Sequence, residues 1–252
     1  MTISTESLYD QASEDWERNA PLLLSDYTAR PFLLDWCEPV RGRSVLDLGC
    51  GEGYFARQLK RRGADTLVGM DLSSEMVARA RKEEHREPLG IEYDVGNAAD
   101  LDGFGAECFD RVVAVFLFNY LSRHQMETVV DGVFRVLKPG GSFVFAVPHP
   151  SLPFTRSEEP PFYFSPGDCG YYSGQDQLFE GEIYRRDGVA VPVRCIHKTL
   201  SDYFHCLRDA GFTEMPDVEE LHVTAAMVET APAFFGPLVD QPLHLAIRVA
   251  KK

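Results

Sequence analysis

The sequence of 252 residues predicts an α/β fold with a doubly wound, mainly parallel sheet of about seven strands. From about residue 44 onward, short apolar runs rich in β-branched residues alternate with segments of helical periodicity. The runs are apolar on both faces, which is typical of parallel strands that helices cover on each side. With 44% hydrophobic residues the chain can bury a core of this kind. We therefore expect a single domain over residues 1–252.

Five apolar runs predict the first strands, and these are Val45–Leu48, Thr66–Met70, Ile91–Val95, Arg111–Phe116 and Ser142–Val147. The clearest helix between them carries apolar residues at spacings of three and four from Met126 to Leu137. It should stop at Pro139 and the glycines that follow, which turn the chain into the next strand. The late elements are a helix over Leu200–Leu207 and strands near Phe212–Leu221 and Leu243–Val249.

Beyond the fifth run the alternation gives way to prolines, glycines and aromatic residues. Asp187-Gly188 is a two-residue turn signal between Glu182–Arg186 and Val189–Cys195, which predicts a β-hairpin. Long ordered loops in compact domains are usually functional, so we predict that residues 149–198 are a lid insertion over a pocket. An irregular surface excursion is the alternative, and the hairpin is also a candidate dimer contact.

The net charge of −14 comes from 39 acidic and 25 basic residues. A surface this acidic repels phosphate backbones and anionic lipid, so we expect no nucleic-acid or membrane partner. The six cysteines show no C-x-x-C pair, and the first residues lack the basic and apolar parts of a signal peptide. We therefore expect a cytoplasmic protein with free thiols and no metal, either a monomer or a homodimer.

The most informative stretch is VLDLGCGEGYF, in which a predicted strand leads into Gly49, Gly51 and Gly53 and then into a helix. Glycines allow positive φ and let a ligand lie against the backbone, and exposed amides of the loop would form a polar cradle. Asp71 ends the second predicted strand, 18 residues beyond Gly53, where an acid can accept both hydroxyl hydrogens of a ribose. The pattern predicts a nucleoside site; a purely structural tight turn is the alternative.

The glycine spacing is G-x-G-x-G, whereas dinucleotide enzymes use G-x-G-x-x-G. Asp47 precedes the glycines, and its carboxylate would repel a pyrophosphate but suits an amine or a sulfonium. A nicotinamide-dependent oxidoreductase is therefore disfavoured. On these residues the chain resembles the class I S-adenosylmethionine-dependent methyltransferases of small molecules, over about residues 40–148. The resemblance implies S-adenosylmethionine as cofactor and a Rossmann-like methyltransferase fold of seven strands, the last one antiparallel.

The resemblance also implies cofactor contacts at particular residues. Asp47 and the three glycines would wrap the methionine part, Asp71 would bind the ribose, and Leu72 would pack on the adenine. Asn97 and Ala98 follow the third predicted strand, where the family usually has an aspartate in place of this asparagine. The side-chain carbonyl of an asparagine can still accept a hydrogen bond from the adenine amine.

Three aromatic residues complete the expected cofactor site. Phe116, after the fourth predicted strand, should lie near the cofactor, as the resemblance implies. Tyr9 and Trp16 lie in a segment similar to the N-terminal helix that closes over the cofactor in this family. We therefore predict an N-terminal helical cap over residues 1–40; two surface aromatics packing on the core are the alternative.

Methyl transfer from a sulfonium needs alignment of the nucleophile and exclusion of water, with a general base when the nucleophile arrives protonated. His149 follows the fifth predicted strand, at the edge where ligands bind, and is our candidate base. Tyr171, Tyr172 and His197 are weaker candidates. We predict methyl transfer to oxygen or nitrogen of a small, partly aromatic or apolar metabolite; carbon methylation and a non-catalytic cofactor-binding subunit stay open.

Overall fold

The structure, a computed structural model, describes Ser7, Asp10, Trp16 and residues 20–252. It confirms the predicted α/β class and extends it by a second, smaller sheet. The strands of the described residues are β1 (Ser44–Leu48), β2 (Thr66–Asp71), β3 (Ile91–Val95), β4 (Phe109–Val115), β5 (Leu137–Pro148), β6 (Phe162–Ser165), β7 (Leu178–Tyr184), β8 (Ala190–Ile196), β9 (Asp217–Leu221) and β10 (His244–Ala250).

The larger sheet has seven strands in the order β3-β2-β1-β4-β5-β10-β9. Strands β1 to β5 pair in parallel, and β10 runs antiparallel to both of its neighbours. From β1 the chain winds outward through β2 and β3 on one side, and through β4 and β5 on the other. The order reverses between β1 and β4, so a crevice opens there at the carboxyl ends of the strands.

The helices of the described residues are α1 (Ser25–Thr28), α2 (Arg30–Trp36), α3 (Tyr54–Arg61), α4 (Ser74–Arg86), α5 (Arg123–Val136), α6 (Leu152–Thr155), α7 (Leu200–Asp209), α8 (Ala225–Thr230) and α9 (Pro232–Phe235), with short 3-10 turns at Phe118–Tyr120 and Gly236–Leu238. None of the helices in this part of the chain is long and apolar enough to cross a membrane.

Helix α5 corresponds to the clearest helix predicted from the sequence, and its contacts explain the spacing of its apolar residues. Ser122 and Gln125 form a capping box at its start, which satisfies backbone amides that the first turn leaves unpaired. Its apolar stripe is buried on one face of the sheet, together with side chains from α7. The opposite face is covered by α2, α3 and α4, so apolar groups cover the large sheet on both sides.

The second sheet is antiparallel in the order β6-β7-β8. It contains the predicted hairpin, whose strands end at Tyr184 and restart at Ala190 around the Asp187-Gly188 turn. The sequence does not predict strand β6. It has only four residues, which is too few for a clear period-2 pattern, and it directly follows Pro160 and Pro161. Residues 149–198 thus include a regular sheet, which an irregular excursion would lack, and its apolar side chains are buried together with Leu23, Leu24 and residues 223–243.

Candidate active site

A cavity of about 250 Å³ lies at the carboxyl ends of the parallel strands, under one face of the second sheet. Eight of the residues singled out from the sequence lie on its wall, and these are Trp16, Gly49, Gly51, Asp71, Leu72, Asn97, Ala98 and Phe116. Two others, Asp47 and Gly53, lie behind the wall, and Tyr9 falls outside the described residues. The topology therefore collects at one place residues that are scattered over the first half of the chain.

The glycine loop after β1 differs from the expected cradle of exposed amides. The amides of Gly49 and Cys50 both donate to the carbonyl of Met70, at 2.8 and 3.1 Å. Since the neighbouring strand already satisfies these donors, they are not available to a ligand. What the loop offers is space: Gly51 has φ of +55°, and a Cβ built there meets no atom within 4 Å. A ligand can therefore lie directly against the backbone at Gly51.

Gly53 serves the fold of the loop. It caps the N-terminus of α3 with φ of +79°, a conformation that side chains other than glycine rarely adopt. A Cβ at this position would lie 2.3 Å from the hydroxyl of Tyr93, so any larger residue would displace that ring. Because Gly53 does not line the cavity, its contribution to a ligand site is indirect.

Asp71 lies where the sequence predicts, at the end of β2 and on the cavity wall. Its Oδ2 accepts a hydrogen bond from the amide of Gly51, and its Oδ1 accepts one from the amide of Ser73, at 2.8 and 2.9 Å. Each oxygen keeps a lone pair for a further donor. Burial raises the pKa of Asp71, and the two amide hydrogen bonds oppose the rise.

Asp47, on β1, is fully buried, and its Oδ2 has no hydrogen-bond partner among the described residues. Burial, helped by the nearby carboxylates of Asp71 and Glu52, raises the pKa of Asp47 to about 8. A buried carboxyl oxygen without a donor is costly, and a cation beside it would remove that cost. The guanidinium of Arg30 acts as such a cation from a distance, because its positive charge opposes the rise in the pKa of Asp47.

Arg30 was not singled out from the sequence, yet it lies on the cavity wall. One of its nitrogens lies 3.0 Å from Asp26, and its guanidinium carbon lies 5.5 Å from the centre of the Phe116 ring. The glycine-loop end of the cavity thus presents one cation together with the carboxylates of Asp71 and Glu52. Such an arrangement matches a ligand that carries charges of both signs.

On the other side of the glycine loop the cavity wall carries both apolar and polar side chains. Leu72 is 46% exposed, so its side chain is available to pack on a ligand. The side-chain oxygen of Asn97 accepts a 3.0 Å hydrogen bond from the amide of Ala99, which fixes its orientation within the turn. A second lone pair of that oxygen remains for a donor on the ligand. Trp16 lies on the same cavity wall.

The opposite end of the cavity is apolar, and the second sheet provides most of it through Phe162, Phe164, Ile183 and Val193. Asn119 adds a polar group: its amide nitrogen donates to the carbonyl of Arg194 at 3.3 Å, and its buried Oδ1 has no partner among the described residues. The wall therefore combines apolar side chains with isolated hydrogen-bond acceptors.

His149 is not on the cavity wall, and both of its ring nitrogens are engaged. Because the amide of Ser151 donates to Nδ1 at 3.2 Å, the hydrogen of the ring lies on Nε2, which bonds Glu220 at 2.8 Å. Burial lowers the pKa of His149, and Glu220 opposes the change. No lone pair of this ring is left for a substrate, so the structure gives the predicted base no support.

Tyr171, Tyr172 and His197, the weaker candidates for the general base, do not line the cavity either. His197 bonds the carbonyl of Tyr171 at 2.8 Å, and the hydroxyl of Tyr171 accepts from the amide of Leu200. Tyr172 is 81% exposed. Sequence alone does not single out His244, which does line the cavity. A signal was available, because the first residue of a strand antiparallel to its neighbours lies at the edge where the parallel strands end.

The fold is an α/β fold with a cavity at the carboxyl ends of its parallel strands, and comparison with known proteins shows which proteins it resembles. The sequence profile of the methyltransferase domain matches residues 45–141. The mitochondrial ubiquinone biosynthesis O-methyltransferase of Mus musculus is 35% identical over 108 residues, which are 42% of this chain and 28% of the mouse protein. The ubiquinone biosynthesis O-methyltransferase of Pseudomonas fluorescens (strain SBW25) is 28% identical over 137 residues, 52% of this chain and 56% of that protein.

Structural similarity extends over most of the chain. The S-adenosylmethionine-dependent methyltransferase from Mesorhizobium loti has a TM-score of 0.66 at 26% identity, covering 88% of this chain and 96% of that one. Over residues 45–141 in sequence and over most of its length in fold, the chain is similar to S-adenosylmethionine-dependent methyltransferases, and these relatives support S-adenosylmethionine as the cofactor. Two observations show that the residues fit this group: the unpartnered oxygen of Asp47 and the open space at Gly51.

Proposed function

We propose that the protein transfers the methyl group of S-adenosylmethionine to an oxygen or nitrogen atom of a small, partly aromatic or apolar metabolite. The observation that carries the proposal is one continuous cavity with two unlike ends. One end is built from the glycine loop and Asp71, and the other from apolar side chains of the second sheet. A cofactor and an acceptor can therefore meet within a single cavity.

Charge supports the orientation of the cofactor. Asp71 would accept the ribose hydroxyls, and Leu72 and Asn97 would contact the adenine. The amino-acid part of the cofactor is a zwitterion, so its ammonium would lie toward Asp47 and its carboxylate toward Arg30. With the adenine and the amino-acid part held in this way, the methyl group would face the apolar half of the cavity.

When bound, S-adenosylmethionine supplies an electrophilic methyl carbon, and the protein needs to hold the acceptor in line with it. The buried rings of Phe162 and Phe164 exclude water from the apolar half. An aromatic or aliphatic acceptor would fill this volume with little desolvation cost. We extend the proposal to a lid function for residues 149–198, whose sheet forms this wall, and to a cap formed by residues 1–40.

The mouse and Pseudomonas relatives are O-methyltransferases, which favours oxygen as the methyl acceptor. The chain matches only 28% of the mouse protein, so an oxygen acceptor is proposed for this chain. A small-molecule acceptor, a cytoplasmic location and the absence of nucleic-acid and membrane partners stay predictions; the six free cysteines and the acidic charge support them.

Calorimetry with S-adenosylmethionine and with NAD⁺ tests the cofactor half. We expect binding of the first and none of the second, and the reverse result would overturn the proposal. A screen of phenols, amines and carboxylic acids, read out as demethylated cofactor and as product mass, tests the acceptor half. Tight cofactor binding with no methylated product from any class would favour the non-catalytic alternative.

A further inference from the structure

His244 is the first residue of β10 and is almost fully buried. Its ring lies between two aromatic residues of the cavity wall, with centroids 4.9 Å from Phe116 and 5.7 Å from Phe162. It therefore lies where the cofactor half and the apolar half of the cavity meet. None of the site residues considered so far provides a proton acceptor at this place.

Hydrogen bonding determines which nitrogen of the ring carries the hydrogen. The Nδ1 of His244 lies 3.0 Å from the hydroxyl oxygen of Thr28. That hydroxyl donates its single hydrogen to the carbonyl of Leu24 at 3.1 Å, the usual bond of a helical threonine to the preceding turn. The oxygen of Thr28 is then an acceptor for Nδ1–H, and Nε2 keeps its lone pair. No described residue hydrogen-bonds to Nε2.

The surroundings of His244 keep the ring neutral. Burial lowers the pKa of His244 to about 3, and the positive charge of Arg30 acts in the same direction. Arg30 is paired with Asp26, and the neighbouring His149, whose ring carries a single hydrogen, bonds Glu220. A neutral ring at physiological pH is what a hydrogen-bond acceptor for a substrate requires.

We propose that Nε2 of His244 binds the hydroxyl hydrogen of a phenol-type acceptor and takes it as a proton during methyl transfer. This rests on the proposed function and deepens it by naming the acceptor class. The phenol oxygen forms the new O–CH₃ bond, the electron pair of the broken S–CH₃ bond stays on sulfur, and the proton moves to Nε2. The imidazolium then passes this proton to water.

Two physical features make a weak base sufficient. A methylated oxygen that still carries its hydrogen is an oxonium, which is far more acidic than an imidazolium. The positive charge of the sulfonium also disappears in the same step, so the charge in the cavity is unchanged when His244 becomes protonated. The rings of Phe116 and Phe162 on either side of His244 would pack against the phenol ring and hold it beside the imidazole.

Nitrogen NMR of histidine-labelled protein, with S-adenosylhomocysteine bound so that no methyl group can be transferred, tests the proposal directly. The signal that disappears in His244→Asn should show Nδ1–H and an unprotonated Nε2. Catechol should shift the Nε2 resonance at saturation, while 1,2-dimethoxybenzene, which lacks the hydroxyl hydrogens, should not. An Nε2–H ring, or an equal response to both compounds or to neither, would overturn the proposal.

The variant His244→Asn should weaken catechol binding about fivefold to tenfold and leave cofactor affinity unchanged. With a phenol acceptor from the screen, its kcat should fall about 100-fold or more. His222→Asn, on an exposed residue outside the cavity wall, is the matched control and should match the parent protein. If amines alone are methylated and His244→Asn retains full activity, this inference fails while the methyltransferase proposal stands.

Discussion

The carboxylate of Asp71 lies 2.8 Å from the amide of Gly51, to which it is hydrogen-bonded. This bond ties the end of β2 to the tip of the glycine loop. The same carboxylate also faces the cavity, so one side chain both shapes the loop and presents oxygens to a ligand. Loss of Asp71 should therefore weaken ligand binding in two ways: it removes oxygens that face the ligand, and it releases the tip of the glycine loop.

Asp71→Ala should lower the affinity for S-adenosylmethionine about 100-fold or more, because two ribose hydrogen bonds and the loop geometry are lost together. Asp71→Asn, which keeps one acceptor oxygen, should fall between this variant and the parent. Isothermal titration calorimetry gives the affinities. Glu229→Ala removes an exposed carboxylate of α8 and is the control. Equal affinities for all four proteins would contradict the assigned site.

Cofactor binding should depend on pH through Asp47. The pKa of about 8 means that the carboxyl is protonated at neutral pH in the ligand-free protein. An ammonium beside it favours the ionised form, so binding should release a proton near pH 7. The affinity should therefore rise from pH 6 to about pH 8 and then level off. Calorimetry in buffers of different ionisation enthalpy measures the released proton, and Asp47→Asn should abolish this release.

The same residue should influence stability without ligand. A carboxyl whose pKa is raised on folding binds more protons when folded, so its contribution to stability is lost as pH rises from about 4 to about 8. The free energy of unfolding of the parent, relative to Asp47→Asn, should fall by up to about 1.4 kcal/mol per pH unit in this window. Chemical denaturation at pH 5.5, 6.5 and 7.5 measures the trend. Parallel pH profiles of the two proteins would show that Asp47 is ionised throughout.

Gly51→Ala should block the cofactor by filling the space against the backbone. Gly42→Ala is a close control, since φ at Gly42 is +72° and a Cβ there also meets no atom within 4 Å. Both variants should be destabilised by about 1 kcal/mol through the positive φ. Only Gly51→Ala should also lose affinity for S-adenosylmethionine in calorimetry. A similar loss in both variants would place the effect in the fold of the chain.

The apolar wall can be tested with a substitution that keeps its shape. Val193→Thr places a hydroxyl on the cavity wall and should raise the KM of an apolar acceptor while leaving cofactor affinity unchanged. Val191→Thr introduces the same group on the same strand, away from the cavity, and should share only the loss of stability. Steady-state kinetics with the acceptor found in the screen separates the two. An unchanged KM in Val193→Thr would remove this wall from the acceptor site.

Eight residues singled out from the sequence line one cavity, because most of them follow strand ends within a local pattern; their contacts with a cofactor stay a prediction. Gly51 and Asp71 are near neighbours along the chain, and parallel pairing of their strands brings them together. Arg30 and His244 could not be found in this way, since they approach Phe116 from opposite ends of the sequence. The expected amide cradle fails at Gly49 and Cys50 for a related reason: only the structure shows that Met70 already accepts the hydrogen bonds of these two amides.

The hairpin sheet that forms the apolar wall comes from a single continuous stretch, residues 162–196. This stretch lies between β5 and α7, outside the part of the chain that matches the methyltransferase domain profile. If the proposed function holds, acceptor preference can therefore change by exchange of one continuous segment that leaves the glycine loop and Asp71 untouched. Chimaeras that swap this segment between paralogues should inherit the substrate range of the donor.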